Sequence, residues 1–424
     1  MHRLLELIKS DMRPAFGVTE PGAIAFAAAR AREEVEGKVR KVKISLNSGM
    51  YKNAYTCGIP NSDKIGNRAA AALGIVAGDA SLGLEALSHV TEEDNKNADA
   101  LLKEGIVDVE LSHMGSKIFI NALVKSEKDW CLVEIRDSHT DIRRITKNGK
   151  VLYEKQEKCE EEKLEKPLIH AYTLAELVEI VETADEEDLS FIKEAFSVNL
   201  ALLKEGLDSG KAVFAEQLMK ENQSRLISDD ERSTAQLLCN GAIEARVQGC
   251  GRAAMSITGS GAHGIIAAMP LYGWYKINEK AVKEIKLLRA TTLSFLITTY
   301  IKEYSGKLSA FCGCGIAAGT GMACGLAYLK GGGMQQIKGV ICNMAAGITG
   351  MICDGGNHGC VMKGIAAVDA AFRSVDMAMN GIFIRPPHGI VGNTPEDTMK
   401  NMGRIAFPGM TATEETIVKI MEEK

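Results

Sequence analysis

The sequence predicts an α+β fold, in which a mainly α-helical domain carries a smaller α+β sheet domain inserted after its first helix. Three observations support this. Residues 1–37 have a helical pattern, residues 38–166 contain short segments that alternate like strands, and the rest is helical almost to its end. The helical domain would comprise residues 1–37 and 167–424, and the sheet domain residues 38–166. From the sequence alone, two domains in tandem remain the alternative.

The first helical segment is the alanine-rich run Ala23–Val35, which follows Pro21 at a position where a helical start tolerates proline. The sheet domain has a turn signal, Asn148-Gly149, that predicts a two-residue hairpin. Its predicted strands are Lys41–Leu46, Val107–Leu111, Lys117–Val124, Trp130–Arg136, Ile142–Thr146 and Val151–Tyr153. Two helices, Asn67–Leu87 and Glu92–Glu104, are expected between the first of these strands and the others.

After a charged connector, Glu154–Lys166, the pattern is helical, and Thr173-x-x-Glu176 predicts a capping box. Further helices are predicted at Asp188–Leu203, Ser233–Gln248, Asn278–Tyr304 and Met362–Met379. Glycine-rich breaks are predicted at Gly259–Gly264, Gly313–Gly325, Gly331–Gly333 and Gly355–Gly359. The uncharged stretch Ser309–Leu329 is long enough to span a membrane, but its small residues indicate a packed interior helix region.

The composition is that of an ordinary globular protein, with 46% hydrophobic and 25% charged residues. The net charge is −5, and the sequence lacks the excess of basic residues that is typical of a nucleic-acid-binding protein. The N-terminal segment is too charged for a secretory signal. We therefore expect a cytoplasmic protein with neither nucleic acid nor a membrane as partner.

Six of the eleven cysteines fall between Cys312 and Cys360, whereas the other five are scattered as small buried residues often are. Cys353 and Cys360 bracket a loop with three glycines, and thiolates are soft ligands suited to zinc, copper(I) or iron–sulfur clusters. The C-x-C spacing of Cys312-Gly313-Cys314 is too tight for a zinc knuckle. Spacing alone leaves cluster binding and buried packing as alternatives.

The segment Gly259–Gly264 has backbone N–H groups and a hydroxyl that suit a carboxylate, although an ordinary glycine-rich turn is an equal alternative. It lacks the Gly-Lys-Ser/Thr of a nucleotide loop. Lys52-Asn53 and His139-Thr140 are polar pairs beside predicted strands. Alone, such residues are more often structural than catalytic.

Several ordered motifs together resemble the L-cysteine desulfidase family, whose catalytic part is related to the α-domain of iron–sulfur L-serine dehydratases. The motifs are Arg13–Pro21, Met50–Asn53, Ser138–Thr140, Gly259–Gly264, Leu308–Cys312, Gly350–Gly355 and Cys360–Lys363. They cover nearly the whole chain. The resemblance implies a lyase that works without PLP and converts L-cysteine and water to pyruvate, ammonia and sulfide.

The same resemblance implies a [4Fe-4S] cluster held by Cys312, Cys353 and Cys360, with one iron open to the substrate. Cys314, Cys324 and Cys342 are then expected to pack in the core and not to bind iron. The implied catalytic residues are Lys52, His139 and His263. The implied substrate-binding residues are Asn53, Thr140, Ser260 and Gly261.

The chain departs from the family pattern at Val18, where relatives have a cysteine between Gly17 and Thr19. Valine neither ligates iron nor transfers a proton, so the substrate stays open. The alternatives are a dehydratase of L-serine or a related hydroxy compound, a non-catalytic cluster-binding sensor, and a zinc protein. We expect a small amino acid as the substrate, and a homodimer is left open.

Overall fold

The computed structural model describes residues 1–156, 167–306 and 308–424 of the chain, and it has the predicted α+β fold. The α-helices are α1 (Arg3–Asp11), α2 (Thr19–Glu33), α3 (Ser48–Ala54), α4 (Gly66–Ala77), α5 (Glu92–Lys103), α6 (Leu174–Thr183), α7 (Glu186–Leu189), α8 (Lys193–Asp208), α9 (Val213–Glu221), α10 (Glu231–Val247), α11 (Gly261–Asn278), α12 (Glu284–Ser305), α13 (Gly319–Leu329), α14 (Met334–Ile348), α15 (Gly359–Met379), α16 (Pro395–Arg404) and α17 (Thr411–Glu422). The strands are β1 (Arg13–Phe16), β2 (Val39–Asn47), β3 (Val107–His113), β4 (Phe119–Ser126), β5 (Trp130–Arg136), β6 (Ile142–Lys147), β7 (Lys150–Glu154) and β8 (Ala253–Ser256).

The main sheet has the strand order β3-β2-β4-β5-β6-β7. Strands β2 and β3 are parallel, joined by the segment containing α3, α4 and α5, and the other pairs are antiparallel. The six strands predicted from alternation are confirmed. The predicted hairpin is confirmed too: Asn148 and Gly149 both have positive φ, and Lys147 pairs with Lys150.

The buried side chains form two main hydrophobic cores. One lies among α1 and the helices from α6 onward, and the other lies between the main sheet and α2 and α4. The second core includes Ala23–Val35, a segment that the sequence-based division assigned to the helical domain. The division at residue 37 stays a prediction. Close packing explains the alanine and glycine content, since a Cβ on Gly74 would be 2.5 Å from the carbonyl oxygen of Ala25.

Three helix predictions were wrong in detail. The helix predicted at Asn67–Leu87 ends at Ala77 and is followed by the 3₁₀ segment Ala80–Glu85. The helix predicted at Asn278–Tyr304 begins later than expected, at Glu284, because Asn278 is the last residue of α11. The predicted break at Gly313–Gly325 is helical, with a π-turn at Cys314–Ala318 leading into α13.

The glycines of α13 serve helix packing rather than a turn. A Cβ on Gly321 would be 2.3 Å from the carbonyl oxygen of Ser294, and one on Gly325 would be 2.7 Å from that of Ala290. The expectation of a packed interior helix region at Ser309–Leu329 is thereby confirmed. Among the described residues, no helix is both long and apolar enough to cross a membrane. Most of the connector Glu154–Lys166, with Cys159, lies outside the described residues.

A two-stranded sheet that the sequence did not predict brings distant motifs together. Strand β1 pairs antiparallel with β8, with Arg13 opposite Ser256 and Phe16 opposite Ala253. Four-residue strands give too short an alternation to stand out from irregular chain. The pairing places the segment that leads into α2 beside the segment that leads into α11.

Candidate active site

A cavity of about 560 Å³ lies between the two cores. The sheet side of its wall comes from the start of α2, from Asn53 in α3 and from the turn after β5. The helical side comes from α10, α12, the start of α11 and the cysteine-containing segments. Motifs from all parts of the chain therefore meet at one opening.

Two backbone hydrogen bonds hold the cysteine segments side by side. The N–H of Cys312 donates to the carbonyl oxygen of Met351 at 3.1 Å, and that of Cys353 donates to the carbonyl oxygen of Ala310 at 2.6 Å. Cys314, Cys353 and Cys360 line the cavity. Cys312 is buried behind the wall, with its Sγ 3.4 Å from the Sγ of Cys314. The other two late cysteines, Cys324 and Cys342, lie in α13 and α14 outside the wall.

Charge at the cysteines is unevenly distributed. A hydrogen bond from Cys312 lowers the pKa of the Cys314 thiol to about 7, and the positive charges of Lys363 and Arg246 act in the same direction. The same contact, together with burial, raises the pKa of Cys312 well above its ordinary value. Low-pKa thiols beside cations are the usual setting of metal-binding or reactive cysteines.

The cysteines have ligand chemistry that suits an iron–sulfur cluster. Among the residues that the structure describes, no group of three or more His, Cys, Asp or Glu side chains surrounds a point where one ion would be held. A cluster is ligated by cysteines on separate irons, so its ligands do not converge on one atom. Cys314, Cys353 and Cys360 on the wall, with Cys312 behind Cys314, provide thiols of the kind that bind the irons of a cluster.

Lys52 lies outside the cavity wall. Its Nζ donates to the carbonyl oxygens of Ser309 and Cys353, both at 2.9 Å, and is 3.2 Å from Oε2 of Glu414 in α17. The ammonium group is fully buried, so these oxygens replace the water it has lost. The lysine therefore ties both cysteine segments to the C-terminal helix, and its predicted catalytic role stays a prediction.

Asn53 and His139 meet on the cavity wall through Glu20. Nδ2 of Asn53 donates to Oε1 of Glu20 at 2.8 Å, and Nε2 of His139 is 3.9 Å from the same oxygen. Oδ1 of Asn53 is 4.0 Å from Sγ of Cys353. Thr140, also predicted to bind substrate, is exposed and does not line the cavity.

His263 lies in the first turn of α11 and lines the cavity, as does Ser260 before the helix. The hydroxyl of Thr258 donates to the carbonyl oxygen of Ile257, so its oxygen accepts from Nδ1 of His263 at 2.6 Å. This network assigns the proton to Nδ1 and the lone pair to Nε2. Burial lowers the pKa of His263 well below 6.5, and the charges of Lys302 and Arg246 lower it further.

Sequence reasoning missed the two basic side chains on the wall, Arg246 and Lys302, and the acidic Glu20. Burial lowers the pKa of Lys302 to about 8. Glu20 lies inside the motif Arg13–Pro21, which carries the family resemblance, so its position is a usable signal. Arg246 and Lys302 lie inside ordinary-looking helices, and no local pattern marks them.

Val18 also lines the cavity. It is buried against the Cys353–Cys360 loop, where a Cβ on Gly356 would be 2.9 Å from both Val18 methyl groups. The position at which the family pattern has a cysteine is therefore an apolar part of the wall.

The comparisons with known proteins assign the chain to a family. The family model of the serine dehydratase alpha chain matches residues 81–419. The chain belongs to the serine dehydratase alpha chain family. Membership of this family indicates a lyase-type enzyme, and it agrees with the resemblance found from the motifs.

Similar curated proteins match almost the whole length of the chain. A UPF0597 protein from Clostridium botulinum strain Hall is 40% identical over 99% of this chain and 98% of its own length. One from Caldanaerobacter subterraneus subsp. tengcongensis is 38% identical, with the same coverage. One from Clostridioides difficile strain 630 is 34% identical over 99% of each chain.

Proposed function

We propose that this chain is an iron–sulfur-dependent β-eliminating lyase that acts on a small L-amino acid, with L-cysteine as the first substrate to test. One observation carries the proposal: cysteines, a neutral histidine, a helix N-terminus and an acidic side chain share one cavity in a member of the serine dehydratase alpha chain family. β-Elimination needs a base for the Cα proton, binding groups for the amino acid and activation of the leaving group. Each requirement has a residue on this wall.

The amino acid would be oriented by its two charged groups. The first turn of α11 presents backbone N–H groups and the positive end of the helix dipole to the cavity, which suits the α-carboxylate. Glu20 is buried on the same cavity wall beside Asn53 and suits the α-ammonium group. These contacts would place Cα within reach of His263.

Nε2 of His263 would take the Cα proton. The nitrogen has a lone pair because Nδ1 carries the ring proton, and the lowered pKa keeps the ring neutral at pH 7. Loss of the proton and of the β-substituent gives 2-aminoacrylate, which takes up water and yields pyruvate and ammonia. With L-cysteine the leaving group departs as sulfide, and with L-serine it departs as water.

The proposed cofactor is a [4Fe-4S] cluster on Cys312, Cys353 and Cys360. When bound, a cluster with an open iron supplies Lewis-acid activation of the leaving group. The chain's own contribution is to hold the ligands: Lys52 and the two backbone hydrogen bonds keep the cysteine segments adjacent.

Val18 supports a thiol substrate, and family membership supports a hydroxyl substrate. A thiol behaves as a weakly polar group and is desolvated against valine at lower cost than a hydroxyl. We therefore put L-cysteine first. A dehydratase of L-serine is the second candidate, because the matching family model is that of a serine dehydratase.

Anaerobically purified protein, offered L-cysteine and L-serine separately, tests the proposal through sulfide and pyruvate formation. Sulfide with pyruvate from L-cysteine supports the leading candidate, and pyruvate from L-serine alone supports the second. Bound iron is measured in the same samples, with Cys353→Ala as the ligand variant and Cys324→Ala as a control outside the wall. About four irons per chain are expected, lost only in the first variant.

Absence of both products from iron-loaded protein would reject the lyase proposal. If L-cysteine or L-serine nevertheless changed the absorption or EPR spectrum of that protein, a non-catalytic cluster-binding sensor would be favoured. If metal analysis found zinc in place of iron, the proposed [4Fe-4S] cluster would be rejected.

A further inference from the structure

Arg246 is a buried arginine that forms no ion pair with a carboxylate among the residues that the structure describes. It lies in the last turn of α10, is only 5% exposed and lines the cavity. Its Nε is buried without a hydrogen-bond partner. Within residues 1–156, 167–306 and 308–424, the guanidinium group forms neither an ion pair nor a hydrogen bond. Arginine stays charged at every pH a protein meets, so this charge is not removed by deprotonation.

A buried, unpaired charge is costly, and a protein retains one where a bound ligand completes the pair. The planar fork of a guanidinium matches a carboxylate, to which it donates two parallel hydrogen bonds. The missing partner of Arg246 is therefore an anion that enters the cavity.

The N-terminus of α11 is a second, independent feature beside the same arginine. A Cβ built on Gly261 would be 2.9 Å from Nε of Arg246 and 2.7 Å from Cβ of Ala254, so only glycine lets the guanidinium group lie against the helix start. Ser260 provides no side-chain cap, which leaves the first N–H groups of this 18-residue helix to an outside acceptor. Guanidinium and helix start thus favour the same anion.

We propose that Arg246 and the first turn of α11 form one subsite for the α-carboxylate of the substrate. The proposal rests on the proposed function for the identity of the ligand and deepens it by naming the group that determines specificity. An amine that lacks the carboxylate would leave Arg246 unpaired and would not bind. The enzyme would accordingly act on amino acids and reject the corresponding amines.

L-Alanine and ethylamine test the subsite, because they differ only in the carboxylate and neither has a leaving group. Binding to anaerobically purified protein is measured by calorimetry. Wild-type protein is expected to bind L-alanine and not ethylamine. We expect Arg246→Gln to weaken L-alanine binding by about 10- to 100-fold and Arg246→Lys to weaken it less, since lysine keeps the charge and loses the fork.

Arg289→Gln is the matched control. Nε of Arg289 is also buried without a hydrogen-bond partner, but its Nη2 donates to the carbonyl oxygen of Ala184, and the residue is not on the cavity wall. This variant should bind L-alanine as the wild type does. Gly261→Ala is a second variant that keeps the arginine and displaces it, and it should weaken binding as well. Thermal unfolding of each variant shows whether it is folded.

Arg246 also lies near Cys314, so bound iron is measured in every variant. Unchanged iron with weakened L-alanine binding supports the subsite. Lost iron with unchanged L-alanine affinity would overturn it and would assign the arginine to the cysteines. Equal binding of L-alanine and ethylamine, or of wild type and Arg246→Gln, would also overturn it. Selective L-alanine binding without product from L-cysteine or L-serine would support the subsite and reject only the lyase.

Discussion

Nε2 of His263 lies against the backbone of Gly313, so closely that a Cβ on residue 313 would be 2.6 Å from that nitrogen. The same Cβ would be 3.1 Å from Cδ of Lys302. Gly313 directly follows Cys312, so the proposed base and one of the proposed cluster ligands meet at this glycine. Its backbone is in the ordinary right-handed helical region, so its role is to leave space.

Gly313→Ala is expected to displace His263 and to lower kcat by about 100-fold, since a shift of about 1 Å in a reacting group has effects of that size. Steady-state kinetics of iron-loaded protein measure the loss. Gly347→Ala in α14 is the control, because its Cβ meets nothing within 4 Å. Equal activity of both variants would contradict the role of His263 as the base.

Cluster-free protein should be alkylated by iodoacetamide first at Cys314. The thiolate is the nucleophile, and with a pKa of about 7 about half of this thiol is ionised at neutral pH, whereas burial raises the pKa of Cys324 far above that range. The rate at Cys314 should rise as the pH passes through about 7. Mass spectrometry of the peptides measures both rates. Faster labelling at Cys312 would reverse the assignment of donor and acceptor within the pair.

Lys52→Met should lower the free energy of unfolding by about 3–5 kcal/mol, because it leaves Glu414 buried without its cation. The double variant Lys52→Met/Glu414→Leu should recover much of that loss. Urea denaturation measures both. The exposed pair Lys193–Glu284, at 2.8 Å, is the control, and Lys193→Met should cost less than about 1 kcal/mol. A Lys52 variant of wild-type stability would favour its predicted catalytic role over a structural one.

Val18→Thr keeps the shape of the side chain and adds a hydroxyl to the cavity wall. If the apolar wall favours the thiol, the ratio of kcat/KM for L-serine to that for L-cysteine should rise by about tenfold. Val181→Thr, at a buried valine outside the wall, should lower stability and leave the ratio unchanged. A ratio that stays constant in Val18→Thr would remove the argument for L-cysteine as the first substrate.

Acid should destabilise the fold partly through His263. Its pKa is lowered in the folded state, so below about pH 6.5 the unfolded chain binds a proton that the folded chain rejects. The contribution of the neutral His263 ring to the free energy of unfolding is complete above pH 6.5. It is lost as the pH falls, by at most about 1.4 kcal/mol per pH unit. His263→Gln should flatten this part of the profile, measured by urea denaturation from pH 7 to 5, and the exposed His388→Gln should not. An unchanged slope in His263→Gln would argue against a buried neutral ring.

The features that were predicted correctly are those encoded within a few residues. Alternation located all six strands of the main sheet, Asn148-Gly149 located the hairpin, and the capping box of Thr173 and Glu176 forms as expected. Each depends on backbone geometry and contacts with near neighbours in the chain. The prediction of a break at the glycines of α13 was wrong, because a glycine in the sequence is compatible both with a turn and with close packing of helices.

The sequence by itself determined the fold class and, through its motifs, the family, and six of the ten predicted site residues line the cavity. Only the tertiary structure decided that Cys314 lines the cavity while Cys312 lies behind it, and that Arg246 and Lys302 share the site. It also decided that Lys52 reaches Ser309 and Cys353, which lie 257 and 301 residues further along the chain. Local patterns carry no information about such contacts, because packing between distant segments alone determines which side chains meet and which charges lose their water.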